Sequence, residues 1–474
     1  MPITAIVFFG LAKSRLLKAA TYWLILSSIV FYGYWSPIYV PLLLISVAGN
    51  FFFGYWLNLT ESGTKLAKTL LWLGIGFNLT ILGYYKYAAF IVTSTNHIFQ
   101  IDLPVPDITL PLGISFYSFT QIAYLVDSYR GETKSGYSFS TYILFVVFFP
   151  QLIAGPILRY NELIPEFKKL RNFVFSHKNL AIGSAFFTLG LAKKVLIADS
   201  VSPWVNTVFS HASDLTLIEA WFGAIAYTLQ LYFDFSGYSD MAIGLGLMFN
   251  IHLPINFNSP YKATSIIDFW RRWHMTLSNF LRDYLYIPLG GSRKGELRRY
   301  TNLFLTMLLG GLWHGAGWTY VIWGGLHGLF LITNHGWRKV GIKMPSFLAW
   351  FLTFNAVVFS WVIFRASSLN EALEMIRAML GMNGISLPEK FQVLLPWLSY
   401  REVEFMGFPY LPSDYKQGLM VLILLLAVVI GLPNTQQIIQ RFQPSWLWAI
   451  SLGGIAALCL ISLNRVSEFL YFQF

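Results

Sequence analysis

Two histidines about forty residues apart stand in stretches otherwise rich in apolar side chains, tryptophan and glycine. His274 sits in Trp270-Arg271-Arg272-Trp273-His274-Met275-Thr276-Leu277-Ser278. His314 sits in Gly310-Gly311-Leu312-Trp313-His314-Gly315-Ala316-Gly317-Trp318. An ionisable group at membrane depth is expensive, so it usually lines a path or a reaction site. Imidazole titrates near neutral pH and can act as a general base. What these two can do depends on whether they share a cavity.

The residues around His274 add charge. Asn256-Phe257-Asn258-Ser259-Pro260-Tyr261 is turn chemistry, and Pro260 disfavours helix at Ser259. A helix is expected to start near Ser265. Arg271, His274, Ser278 and Arg282 then fall on one helical face. Asp268 lies three before Arg271 and is placed to pair with it. Two readings fit this segment. It is an interfacial amphipathic helix whose arginines hold lipid phosphates, or its polar face lines a cavity and grips an anionic ligand.

Two further stretches carry polar groups. In 310–328, seven glycines let helices or a ligand approach closely, and His314 and His327 are the only residues of a type that titrates near neutral pH. Tight helix packing with each histidine bonded to a carbonyl is the structural alternative there. In 227–241, Asp234 and Asp240 interrupt an aromatic run. A bare carboxylate there would be neutralised or paired, and Arg271, Arg272 or Arg282 are natural partners. A structural ion pair and a catalytic carboxylate are equally open. The stretch 111–121 reads as a polar-lined helix. The stretch 149–160, with Pro150 and Pro156, reads as a broken one.

The elements that position these residues are transmembrane helices. The chain has 474 residues, 56% hydrophobic and 12% charged, and soluble domains carry about twice that charge. The mean hydropathy is +0.56. Apolar runs recur from the first residues to near position 463, and about eleven spans are expected. Their continuity argues against strands. The fold class expected is all-α polytopic, in a single membrane domain over 1–474 with its core motifs at 110–335. The segment 366–416 is a surface loop with a short interfacial helix. The apolar N-terminus is read as part of the membrane domain rather than a removed signal peptide.

The formal net charge of +11 sits in clusters between spans, such as Arg293, Lys294, Arg298 and Arg299. That pattern reads as cytoplasmic loops, not as a nucleic-acid surface. The single cysteine, Cys459, excludes an intrachain disulfide and a cysteine metal cluster. No metal site is expected. Phosphate-loop, dinucleotide, metalloprotease and nucleophile-elbow motifs are missing from the sequence.

These stretches together resemble the membrane-bound O-acyltransferases, in their bacterial alginate O-acetyltransferase branch. The resemblance runs through Leu110 to Arg130, Phe148 to Tyr160, Leu231 to Gly246, Asn256 to Gly291 and Thr301 to Gly328. Its specific carriers are Phe269-Trp-Arg-Arg-Trp-His274 and Gly311-Leu-Trp-His314-Gly. The resemblance implies re-entrant helices around a membrane tunnel, with His314 catalytic and His274 sharing the site. Arg271, Arg272, Arg282, Ser278, Asp234, Asp240, Asn258 and His327 are the lower-ranked substrate- or donor-binding candidates. It implies no bound cofactor, a thioester donor reached from the cytoplasm (acetyl-CoA or a carrier-protein thioester), and a polysaccharide hydroxyl outside as acceptor. A serine-hydrolase-like periplasmic or extracellular acetyltransferase partner and a bacterial inner-membrane location complete the expectation. D-alanyl transfer to teichoic acid is the runner-up. A transporter or flippase with a histidine proton relay is the alternative of another class.

Overall fold

The computed structural model describes residues 1–133, 138–153, 155–394, 397, 403–464 and 470. Residue 154 of the expected broken helix lies outside the described residues, as do 395–396 and 398–402 of the expected surface loop. The helices that matter for the site are α1 (Val40–Leu59), α2 (Lys65–Leu82), α3 (Ile114–Tyr129), α4 (His177–Ala192), α5 (Leu217–Met248), α6 (Ile266–Trp270), α7 (Met275–Leu281), α8 (Glu296–His314), α9 (Trp318–Val340) and α10 (Ser346–Arg365). Among the described residues the only strands are β1 (Ile385–Ser386) and β2 (Val403–Glu404), paired in parallel. They sit in the expected surface loop, which also holds the helix Leu369–Met379 and the short helix Lys390–Leu394.

The chain is membrane-embedded and helical. Among the described residues, four segments are long and apolar enough to cross a membrane: Pro37–Leu59, Lys65–Phe99, His177–Phe209 and Ser346–Arg365. Three shorter apolar helices accompany them. Other apolar runs of the sequence break up, as 139–158 does into Phe139–Val147 and Phe149–Leu152. Large apolar side chains such as Trp72, Ile91, Leu352 and Ile423 lie exposed on the outside. Polar ones turn inward. Asn50 and Asn78, from α1 and α2, exchange amide hydrogen bonds of 3.0 and 2.6 Å inside the bundle. With no water or hydrophobic drive between helices in lipid, such polar pairs and close backbone packing hold helices together.

The α4–α5 contact shows that packing. Gly183 and Gly190 of α4 face Gly244 and Gly237 of α5, each pair one heptad along. A Cβ on Gly190 would lie 2.5 Å from the Gly237 carbonyl, and one on Gly183 would lie 2.6 Å from the Gly244 carbonyl. Neither carbonyl can move without displacing a helix. Overpacking of this kind costs at least about 1–3 kcal/mol. Gly190→Leu is therefore expected to lower the unfolding temperature in detergent and the yield of folded protein. Gly10→Leu, with nothing within 4 Å of the added Cβ, should leave both unchanged.

Candidate active site

A helix starts where the sequence suggests, and Ser265 caps α6, its hydroxyl accepting from Asp268 N–H at 3.2 Å. The expected single helix does not continue. It breaks after Trp270, and His274 takes a left-handed backbone, φ 42° and ψ 54°, before α7 begins. The turn 256–258 supplies the reason. Asn258 N–H donates to the Arg272 carbonyl at 2.9 Å, and Met275 N–H to the Asn256 carbonyl at 2.9 Å. The Asn256 side-chain oxygen accepts from Thr276 N–H at 3.2 Å, Thr276 Oγ1 at 3.0 Å and His274 Nδ1 at 3.1 Å. These bonds replace the ones a continuous helix would have made. The break lets Trp270, Trp273 and His274 all bury. Left-handed backbone at a non-glycine residue is strained and clusters at functional sites.

His314 is the last residue of α8. There α8 and α9 meet at backbone distance, since a Cβ on Gly311 would lie 2.2 Å from the Tyr320 carbonyl. That approach sets the His314 ring against Trp323 at 5.2 Å and Phe364 at 5.4 Å between centroids. The His274 ring lies 6.2 Å from the His314 ring and packs edge-on against Phe235 of α5 at 4.7 Å. The two histidines therefore share one buried site. His314 Nδ1 and His274 Nε2 have no hydrogen-bond partner among the described residues. The Asn256 oxygen is fixed as an oxygen because it accepts a backbone N–H. His274 therefore carries its proton on Nδ1, and in neutral imidazole Nε2 is then an acceptor.

A cavity of about 590 Å³ opens against the segment from Ile267 to Tyr286 and the middle of α8; neither His274 nor His314 lines it. Arg271, Ser278 and Arg282 line it, together with Arg299, His335, Met307 and Trp270. Met307 precedes His314 by seven residues on α8, about 10 Å of helical rise. Arg282 is held by Asp283 at 2.6 Å, and Arg299 donates to His335 Nδ1 at 2.6 Å. Arg272 does not line the cavity. It pairs with Asp268 at 2.9 Å, the partnership the sequence suggested for Arg271, because the helix break turns the two arginines apart. Asn258 braces the turn, bonding Asn434 at 3.0 Å. His327 is satisfied on both nitrogens. It accepts from Trp270 Nε1 at 3.2 Å and lies 3.0 Å from Ser360 Oγ, whose own proton goes to the Val357 carbonyl. It supports the aromatic wall behind His314.

Asp234 and Asp240 do not meet the arginines. Lys194 pairs with Asp234 at 2.5 Å and Lys193 with Asp240 at 2.7 Å. The close glycine contact between α4 and α5 brings the lysines there, directly after α4. Sequence reasoning missed Lys193, Lys194 and Lys86, although each is a lysine in an apolar run. It read Asn256 only as turn chemistry. Two weaker stretches do converge on the site. Phe119 of α3 stacks on Trp313 at 5.2 Å, and Ile157 N–H donates to Thr276 Oγ1 at 3.1 Å.

The family model described as MBOAT, membrane-bound O-acyltransferase family, matches residues 55–373. The peptidoglycan O-acetyltransferase of Helicobacter pylori is 41% identical over 95% of this chain and 91% of its own length. The probable alginate O-acetylase AlgI of Pseudomonas aeruginosa is 39% identical over 99% and 97%. A teichoic acid D-alanyltransferase of Streptococcus thermophilus is 28% identical over 53% of this chain and 68% of its own length.

If Asp240 and Asp234 serve packing, removing their lysines should destabilise without changing the chemistry. Breaking a buried pair by deleting one partner costs about 3–5 kcal/mol. Lys193→Met is expected to lower detergent stability by that order while turnover per folded molecule stays within about twofold. A selective loss of turnover at full stability would return Asp240 to the catalytic set.

Proposed function

The chain belongs to the membrane-bound O-acyltransferase family, and from that premise we propose that it moves an acetyl group from a cytoplasmic thioester to hydroxyls of an exported or cell-surface polysaccharide. The protein is a membrane O-acyltransferase; the donor, acceptor and residue roles that follow are our reading. The observation that carries it is the meeting of two buried histidine rings, each with a ring nitrogen that has no hydrogen-bond partner among the described residues, in a fold whose Trp270–Arg282 segment also walls an arginine-lined cavity.

His314 acts as the general base. It takes the proton of the acceptor hydroxyl as that oxygen attacks the thioester carbonyl. The carbon–sulfur bond breaks, and the imidazolium returns the proton to the departing thiolate. His274, an acceptor at Nε2, holds a neighbouring acceptor hydroxyl in place. The Asn256 amide nitrogen, buried without a partner among the described residues, is a donor for the developing oxyanion. Trp313, Trp323 and Phe364 exclude water around His314, which suppresses thioester hydrolysis.

Acetyl-CoA is the donor that the cavity suits. Arg271, Arg282 and Arg299 offer phosphate-binding guanidinium groups. Arg293, Lys294, Arg298 and Arg299 cluster at the N-terminal end of α8, which supports reading that end as the cytoplasmic side of a bacterial inner membrane. A carrier-protein thioester and D-alanine are the weaker choice, because the D-alanyltransferase relative matches only about half of the chain. The polymer receives the acetyl group directly or through the serine of a serine-hydrolase-like partner. A transporter or flippase would leave no ester product.

His314→Ala is expected to abolish transfer from radiolabelled acetyl-CoA in membranes, by at least about 10³-fold, with the protein still inserted. Cells carrying it should lose ester-linked acetate from exported polysaccharide. Near-normal acetate would overturn the assignment. Arg271→Ala and Arg299→Ala should raise KM for acetyl-CoA about tenfold or more, the loss of one charge-assisted hydrogen bond, with kcat little changed. An unchanged KM in both would move the donor elsewhere.

A further inference from the structure

Among the described residues, Lys86 is a buried cation whose hydrogen bonds go to carbonyls and a hydroxyl rather than to a carboxylate. Lys86 lies in a wide helical turn, Gly83–Tyr87, that continues α2. It is 8% exposed, and its ammonium donates to the Trp313 carbonyl at 2.6 Å, the His314 carbonyl at 3.2 Å and Ser115 Oγ at 3.0 Å. An ammonium has three donors, and these three acceptors use them all. The next residue, Tyr87, donates its hydroxyl to the Leu312 carbonyl at 2.8 Å. Two adjacent side chains therefore hold three consecutive carbonyls at the end of α8.

That end needs them. The last carbonyls of any helix lack intrahelical partners, and they carry the negative end of the helix dipole, which favours a cation there. Gly315, which follows, is extended at φ −157° and ψ 151°, so α8 stops abruptly at His314. Without water at hand, an unmet carbonyl is costly. The ring that performs proton transfer thus hangs from a helix end secured by another helix some 228 residues away in sequence.

We propose that Lys86, assisted by Tyr87, is a positioning residue for His314: it fixes the last turn of α8 and thereby the imidazole's place against His274 and the substrates. This rests on His314 being the base. Lys86 itself touches no substrate in this account, because its donors are already engaged. Its loss acts on the geometry of the base, so it lowers kcat and leaves donor binding alone. A displacement of about 1 Å at a reacting group can cost on the order of 10²-fold in rate.

The test uses full-length enzyme in membranes or nanodiscs with acetyl-CoA, comparing wild type, Lys86→Met, Lys86→Arg, Tyr87→Phe and His314→Ala, and normalising each to folded protein by size exclusion and thermal unfolding. Lys86→Met keeps the side chain's length and removes its donors. Its kcat is expected to fall about 10- to 100-fold with KM for acetyl-CoA within about twofold. Lys86→Arg, which restores a donor-rich cation, should recover at least part of that loss. Tyr87→Phe, a milder change that keeps the ring, should lower kcat severalfold at normal stability, and it decides the matter if Lys86→Met does not fold. Added to His314→Ala, Lys86→Met should reduce residual transfer no further. Wild-type kcat per folded molecule in both Lys86→Met and Tyr87→Phe would overturn the proposal, as would a loss that appears only in KM. Full activity of His314→Ala would instead overturn the assignment of the base, whatever Lys86 does.

Discussion

A helix broken inside a packed bundle strands backbone polar groups that must find other partners, and Asn256 answers that constraint here. Its carbonyl takes the N–H of Met275, and its side-chain oxygen takes Thr276 N–H, the Thr276 hydroxyl and His274 Nδ1. The break it stabilises turns His274 inward while Arg271 and Ser278 stay on the cavity wall. A continuous helix would have put all of them on one face. Thr276 passes the connection on to Ile157, so the proline-interrupted segment is anchored to the same turn. Most of what makes the region a site follows from this one residue.

The charges fall into two groups with different tasks. Lys193 with Asp240 and Lys194 with Asp234 lie inside the bundle next to the glycine contact of α4 with α5. Buried pairs gain little net stability but are costly to break, and here they fix how two helices sit. Arg271, Arg282 and Arg299 line the cavity instead, where guanidinium groups can meet a ligand. Lys86 belongs to neither group, since its acceptors are carbonyls and a hydroxyl rather than carboxylates.

His327 shows why residue type alone is a weak guide to role. Like His314 it lies in the glycine-rich stretch and is fully buried. Its two nitrogens are spoken for by Trp270 and Ser360, whereas His314 Nδ1 and His274 Nε2 have no such partner among the described residues. The difference between a wall residue and a candidate base is the hydrogen-bond inventory, which exists only after the helices pack.

Composition and apolar runs were enough to determine a helical membrane protein, because lipid leaves the backbone few ways to satisfy itself. The motifs around His274 and His314 were enough to determine the family, and the helix start near Ser265 was legible because capping is local. What only the tertiary structure decided is long-range. The turn at Asn256 overrode helical periodicity between Trp270 and Met275, because tertiary hydrogen bonds there outcompeted local ones. The glycine contact between α4 and α5 gave Asp234 and Asp240 lysine partners in place of the arginines. Lys86 was brought to the end of α8 from far upstream in the chain. Each of these joins residues that no local pattern relates, and partners chosen by packing across the fold cannot be read from spacing along it.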